Sequence, residues 1–593
     1  MREHWRAIVL LLRATWRTDP KNALGGLAET LSYLRIPLFA WCLKLMTEGA
    51  IAQDPRPLAM GAAGIGLMGV MTFVGMWVGT TCMLRLTETV GFAFSRDIAE
   101  MAAAVPGLEH HERADYQDRL ELLRGGHGAL TNSLSALLYT FNLVLMGVGM
   151  LVALAVASPW LLLIIPFTLP AFPIARAEQR WFREAEDRMA EPGRRFAYFK
   201  ALTADRNAGM EVRVFGLGPE VVRRMEESWL DTRRPPTDAG RRSALLSVAG
   251  SLFFLVGFGG MITVMLWLAS RGRITAGDVV MAIFLAQQVR AAIVDPVRGV
   301  TGLGGMLRQA GRLLWLMDYT KEALAKATGT RPAPDALREG IVFDHVSFRY
   351  PGTDRWVLRD VSFRIPAGGV IALVGENGAG KTTIVKLLCR MYEPTEGRIL
   401  VDGVDLAEIG VEEWRKRLSA AFQDFARFEF TAQHTVGVGH LPGLDDPAAV
   451  QAALDHAGAG DLPATLPAGT QTQLGTRWEG GVDLSTGQWQ KVALGRALMR
   501  DAPLVLFFDE PTASLDALAE HALFERYTRA ARAGSERGAV TVLVSHRFST
   551  VRSAHLILVI DGGTVTELGS HEDLIVRGGL YAELYQLQAR AYA

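Results

Sequence analysis

Cysteine is scarce in this chain: three in 593 residues exclude a disulfide framework as an organising principle. Cys42 and Cys82 lie inside apolar stretches and Cys389 in a helical one. Charge of one sign is lacking too. Lys plus Arg and Asp plus Glu each number 62, so the net charge is zero and gives no reason to expect a nucleic-acid partner. No secretory signal is read at the start, because the apolar run Ala7 to Leu12 is short, is broken by Arg13 and lacks a small-residue cleavage site. Apolar residues, in contrast, make up 49% of the chain, and the long apolar stretches fall almost wholly before residue 300. Two or more domains are expected at this length, the first of them in lipid.

Residues 1–20 read as an interfacial elbow helix, with Trp5, Ile8, Val9, Leu12 and Trp16 on one face and Arg2, Arg6, Arg13 and Arg17 on a neighbouring one. An amphipathic helix packed on protein would show the same pattern. A helical transmembrane domain is expected over 21–318. Six segments approach the roughly 20 apolar residues that a spanning helix needs: Ala23 to Met46, Pro57 to Met83, Leu134 to Ala157, Trp160 to Ile174, Ala244 to Ala269 and Val279 to Val300. The first carries Glu29, Arg35 and Lys44 and is the weakest. Only Ser158-Pro159 separates the third from the fourth, which predicts an antiparallel hairpin. The loops 84–128 and 175–242 are long and rich in Arg, so the positive-inside rule puts them in the cytoplasm, although Arg271 and Arg273 oppose that orientation. Helical periodicity continues through both loops, so helices two to five are expected to project well beyond the membrane.

A linker over 319–338, containing Thr328-Gly329-Thr330-Arg331-Pro332-Ala333-Pro334, leads into a soluble domain over 339–593. There the pattern changes to short strands: Val342 to Tyr350, Val361 to Ile365, Val370 to Val374, Leu504 to Phe508 and Val540 to Ser545. An α/β domain with a largely parallel, buried sheet follows. Between Val374 and the helix start at Thr383 stands Gly375-Glu376-Asn377-Gly378-Ala379-Gly380-Lys381-Thr382, an intact phosphate-binding loop in its strand-turn-helix setting. Its glycines let backbone N–H groups close around phosphates, Lys381 adds a positive charge, and Thr382 offers a hydroxyl to Mg²⁺. Asp509 and Glu510 emerge from the apolar strand Leu504 to Phe508, Asp509 as a candidate Mg²⁺ ligand and Glu510 as the residue that orients attacking water.

Leu484-Ser485-Thr486-Gly487-Gln488, between these two motifs, closely resembles the Leu-Ser-Gly-Gly-Gln signature of ATP-binding cassette (ABC) transporters. Tyr350 resembles that family's adenine-stacking aromatic, Gln423 its intervening glutamine, Ala513-Ser514-Leu515-Asp516 the loop after the acidic pair, and His546 its switch histidine. With six spans before one ATPase domain, the chain looks like an exporter-type half-transporter, that is, a membrane all-α six-helix domain plus an α/β P-loop NTPase. The resemblance implies a homodimer, or a pairing with a related half-transporter, in which ATP and Mg²⁺ lie between the phosphate loop of one copy and the signature of the other. Thr383 would join the nucleotide site, Gln423 would reach the metal and the catalytic centre, and Ser485, Gly487 and Gln488 would meet the nucleotide across the dimer. Leu108 to Gln117 and Met210 to Gly216 resemble the family's coupling helices.

Four features depart from the family pattern: Thr486 replaces a glycine, Ala513 and Ser514 are reversed, Thr435 replaces an asparagine, and Gly475 to Val482 is long. None removes a catalytic group. Tyr33, Arg35, Tyr139, Asn142, Gln287, Gln288 and Arg290 are candidates to line a substrate cavity, and interhelical hydrogen bonding accounts for them equally well. Phe422-Gln423-Asp424-Phe425 and Gln488-Trp489-Gln490-Lys491 resemble variants in bacterial peptide exporters, so a peptide or amphipathic cargo is expected, with no leader peptidase domain ahead of the first span. A lipid or multidrug exporter, half of a heterodimer, or an ATP-gated channel remain alternatives. The excess of Arg over Lys points to a bacterial plasma membrane.

Overall fold

A computed structural model of the chain describes residues 2–27, 35–125, 127–157, 162, 164–327, 329–509, 538–545 and 548–592. The chain divides into two compact units, one formed by Met1–Glu100 with Arg119–Met317 and the other by Met101–Asp118 with Asp318–Ala593.

The first unit is helical. Its main elements are α1 (Arg2–Thr18), α2 (Pro20–Gly26), α3 (Arg35–Ala52), α4 (Pro55–Ala104), α5 (Ser133–Ala157), α6 (Ala171–Ala204), α7 (Gly218–Ser270) and α8 (Ala276–Lys326), of which α4 and α8 continue past the unit's limits. The helix α7, at 53 residues, is about 80 Å long at 1.5 Å per residue, far more than the roughly 30 Å of hydrocarbon. Among the described residues, Pro55–Ala104, Ser133–Val156 and Gly218–Ser270 are long and apolar enough to cross a membrane. The first of the other three expected spans contains residues 28–34, which lie outside the described residues, as does the Ser158-Pro159 link. In the fourth, the short helix Ile165–Thr168 ends before Pro170, and the chain restarts as the largely polar α6. The sixth lies within α8, whose described apolar stretch includes Ala276–Val289 and which runs on to Lys326, beyond the 318 boundary read from sequence.

Lys44, a charge inside the first expected span, is accounted for by an ion pair of 2.7 Å with Asp278 near the start of α8. Close packing elsewhere uses small residues: a side chain at Gly257 of α7 would come within 2.2 Å of Phe167. Ser243 and Ser247 of α7 both donate to the buried Glu178 of α6, at 2.7 and 2.8 Å. The core joins Ala40, Met150, Leu154, Phe254, Met265, Leu285 and Val289, whereas Phe73, Trp77 and Val256 face outward, as residues facing lipid do. On α1 the buried face is Ala7, Leu11 and Thr15, and Trp5, Val9, Leu12 and Trp16 remain exposed.

The second unit is built on two sheets. One is antiparallel, in the order β2 (Trp356–Pro366), β1 (Gly340–Arg349), β4 (Glu396–Val401), β5 (Val404–Asp405). The other has the order β10 (Thr564–Gly569), β9 (Leu556–Asp561), β3 (Val370–Val374), β8 (Val540–Val544), β7 (Val505–Asp509), β6 (Leu418–Ala421) and is parallel except for the β9–β10 hairpin. Ile371 and Leu373 join one core cluster and Val370, Ala372 and Val374 the other. A sheet buried on both faces needs continuous apolar strands, which is why β3 reads Val-Ile-Ala-Leu-Val. In the first cluster Trp414 is fully buried and donates its ring N–H to Leu388 O at 2.7 Å.

Candidate functional site: a nucleotide cradle at parallel strand ends

Parallel pairing brings the C-terminal ends of neighbouring strands to one edge of the sheet. Ala421 pairs with Phe508, Asp509 with Val544, and Val544 with Leu373. Gln423 after β6, Asp509 at the end of β7, Ser545 after β8 and the phosphate loop after β3 therefore emerge along one rim. Asp509 and Ser545 are buried there, and Gln423 is exposed. Glu510, His546 and Ala513-Ser514-Leu515-Asp516 lie outside the described residues.

The loop's glycines are required by its geometry. A side chain at Gly375 would fall 2.1 Å from Ile560 O, and Gly380 caps α9 (Lys381–Leu388) at φ +112°, where L side chains are strained. The N–H groups at the start of α9 have no carbonyl one turn ahead and favour an anion. Lys381 is 93% buried, and its ammonium donates to Gly375 O at 2.8 Å and Glu376 O at 2.9 Å, so the charge sits inside the turn. Glu376, Asn377 and Gly378 stand on the turn with Ala379 buried beneath them, and Thr382 is exposed. Thr383 is buried beside them, and its hydroxyl bonds the Tyr350 hydroxyl at 3.1 Å.

Tyr350 is half-buried, edge-on to Phe348 and Tyr392 with centroids 5.0 and 5.4 Å away. Lys386 Nζ lies 5.2 Å from its ring centroid and pairs with Glu112 Oε1 at 2.7 Å, while the Tyr392 hydroxyl donates to Glu112 Oε2. Burial alone would lower the Lys386 ammonium, but the bonds to Glu112 and Tyr350 outweigh it and hold the pKa above the usual lysine value. Burial, then the bond to Glu112, push the Tyr392 hydroxyl above its ordinary range, so it stays a donor. Cys389 is pushed up to about 12 by burial, so no reactive thiolate stands behind the loop at neutral pH. Nothing in the sequence marks the Glu112 cluster, where the 108–117 segment shows only a resemblance to a coupling helix.

The signature segment opens α10 (Thr486–Ala497) with a capping box: Ser485 Oγ accepts from Gln488 N at 3.2 Å, and Gln488 Oε1 accepts from Ser485 N at 2.9 Å. Gln488 therefore has an intramolecular task besides the contact expected of it across a dimer. Trp489 is fully buried and donates to Asp483 Oδ1 at 3.2 Å, fixing the helix start, and Gly487 is half-buried behind it. Thr486 occupies the first helical position, exposed, where its extra bulk meets no tight packing. Thr486→Gly is expected to raise ATP turnover or leave it unchanged, at a stability cost of no more than about 1 kcal/mol. A steep fall in turnover with an unaltered melting temperature would mean that Thr486 itself contacts nucleotide. Thr435 is fully buried and donates to Phe428 O at 3.0 Å, while its carbonyl accepts from Arg496 at 3.0 Å, so it holds its loop without the usual asparagine.

Of the cavity candidates, Tyr33 lies outside the described residues, and so does the side chain of Arg290. Arg35 on α3, Tyr139 on α5 and Gln287 on α8 are exposed, and Gln288 is half-buried. Asn142 is buried on α5, with no partner for its Oδ1 among the described residues. Of the two expected coupling segments, Glu109–Glu112 clusters with the sheet-containing unit. The other is the helix Arg206–Val214, with Met210, Val214 and Phe215 exposed.

Two family models match the sequence: the ABC transporter model over residues 358–513 and the ABC transporter transmembrane region over 23–293. An ATP-dependent lipid A-core flippase of Bordetella avium is 29% identical over 600 residues, covering 99% of this chain and 95% of the relative. A protein of the same name from Alcanivorax borkumensis is 28% identical, covering 90% and 89%. One from Burkholderia orbicola reaches 40%, over 45% of this chain and 42% of the relative. Among solved structures, a bacterial Atm1-family ABC exporter with ATP bound superposes with a TM-score of 0.76 at 24% identity, over 97% of this chain and 99% of that one, which establishes the fold.

Proposed function

Because the chain belongs to the ABC transporter family, as an exporter-type half-transporter whose ATP hydrolysis drives transport, we propose that two copies export an amphipathic lipid across a bacterial inner membrane. The observation that carries this reading is the near full-length match to the Bordetella avium flippase, which spans the membrane region as well as the ATPase. The peptide reading has less support. Its two motifs, Phe422-Gln423-Asp424-Phe425 and Gln488-Trp489-Gln490-Lys491, both belong to the ATPase unit, where Gln488 caps a helix and Trp489 anchors it. They carry no information about cargo.

In this reading Tyr350 receives the adenine, the N–H groups of 375–383 and the Lys381 ammonium hold the phosphates, and the ATPase unit faces the cytoplasm. Ser485, Gly487 and Gln488 of the second copy close the site. A buried carboxylate at Asp509, with Thr382 and Gln423 exposed on the same rim, is a hard-oxygen donor set suited to Mg²⁺. Bound there, the metal would neutralise phosphate charge. Glu510 orients the attacking water and His546 steadies the terminal phosphate. Binding of ATP draws the two ATPase units together, and hydrolysis separates them.

Reconstitution in lipid vesicles tests the cargo. With a headgroup-labelled lipid and an impermeant quencher, ATP is expected to change the label's accessibility, and acylated lipids to stimulate hydrolysis. Stimulation by amphipathic peptides, with lipid accessibility unmoved by ATP, would restore the peptide reading.

A further inference from the structure

Tyr350 is held from two sides. Thr383, on the first turn of α9, bonds its hydroxyl at 3.1 Å, and the Lys386 ammonium, one turn along the same helix, lies 5.2 Å from its ring centroid. Lys386 is in turn held at 2.7 Å by Glu112 Oε1, whose other oxygen accepts from the Tyr392 hydroxyl, and the Tyr392 ring stands at 88° to that of Tyr350. One carboxylate therefore holds two of the neighbours of the Tyr350 ring, Lys386 and Tyr392. Glu112 belongs to the 101–118 segment, which continues directly from α4, one of the helices long and apolar enough to cross a membrane. A backbone bond supplements the attachment, since Arg415 Nη2 donates to Pro106 O at 2.5 Å.

We propose that Glu112 is a positioning residue for the nucleotide base: through Lys386 and Tyr392 it sets the pose of the Tyr350 ring, and so links base affinity to the position of the segment leading out of α4. The inference rests on the reading that Tyr350 receives the adenine. Coupling is reciprocal. If moving the 101–118 segment alters base affinity, base binding must bias that segment by the same free energy. The Lys381 ammonium is outside this linkage, because it donates to Gly375 and Glu376 carbonyls.

Equilibrium binding to the full-length protein in nanodiscs, with ATP and inorganic triphosphate as probes, separates base from phosphate. Glu112→Gln is expected to weaken ATP binding about fivefold, the low end of usual site-to-site couplings, with triphosphate binding preserved. In turnover the same variant raises KM more than it lowers kcat. Lys386→Met is expected to act likewise, and Glu112→Asp, which keeps the charge, to recover part of the loss. Unchanged ATP affinity in Glu112→Gln, or an equal loss for ATP and triphosphate, overturns the proposal. Tyr350→Ala guards the premise: if it leaves the preference for ATP over triphosphate intact, the adenine assignment itself fails. If it removes that preference and Glu112→Gln does not, only the linkage fails.

Discussion

Lys381→Ala is expected to abolish measurable ATP turnover and to weaken ATP binding by about a hundredfold or more, the scale seen when one preorganised charge on a reacting group is removed. Its ammonium is almost wholly buried and donates to Gly375 and Glu376 carbonyls, so it is already positioned when phosphate arrives and needs little reorganisation. Deleting it leaves two carbonyl oxygens directed at an anion, which is worse than a neutral wall. Lys381→Arg is expected to fail nearly as badly, since a planar fork does not fit a slot shaped for one point charge. Phosphate release measures turnover, a fluorescent nucleotide measures binding, and a melting curve checks that the fold persists. Turnover within a factor of about three of the parent chain, little more than 0.6 kcal/mol, would remove Lys381 from the reaction.

The residues that carry chemistry were the most legible. A phosphate loop must follow an apolar strand and open a helix, and β3 and α9 flank it as that requirement demands. Strand β7 was equally plain, because five apolar residues ending in acids have few alternatives to a buried parallel strand. Other strands were hidden by their composition. β6 is only Leu-Ser-Ala-Ala, without β-branched residues, and β4 begins with the exposed Glu396, Gly397 and Arg398. The hairpin of β9 and β10 turns at Gly562-Gly563, both at positive φ, a pair that marks a turn in the sequence as well.

In the membrane region, hydropathy located α4, α5 and α7 but could not show that a turn at Leu169 and Pro170 precedes α6 or that Lys44 finds Asp278. Sequence periodicity encodes neighbours on one element, and Glu112 and Lys386 stand 274 positions apart. Only the folded chain brings them together. The same limit applies to the capping box, where Gln488 resembled a ligand of the nucleotide and proved also to be a partner of its own helix.

Glu510→Gln is expected to lower ATP turnover by about 10²- to 10⁴-fold, the usual contribution of a positioned general base, while ATP binding stays near that of the parent chain. The substitution keeps the size of the side chain and removes the anionic oxygen that would orient and polarise water. It leaves the cradle alone: Lys381, the 375–380 turn and the start of α9 belong to β3 and its helix, two strands away from β7 in the sheet order. Asp509, directly before it in sequence, ends a fully buried strand in register with Val544, so the end of β7 is fixed by strand pairing. The contrast with Lys381→Ala is therefore qualitative, loss of the chemical step against loss of binding. Rapid separation of bound nucleotide after one turnover time distinguishes them. Glu510→Gln should retain intact ATP where the parent chain holds ADP, and two copies per particle should persist under those conditions if trapped ATP keeps the ATPase units together. Undiminished hydrolysis would move the water-orienting role to another residue on the same rim, and Gln423, exposed after β6, would be the next to test.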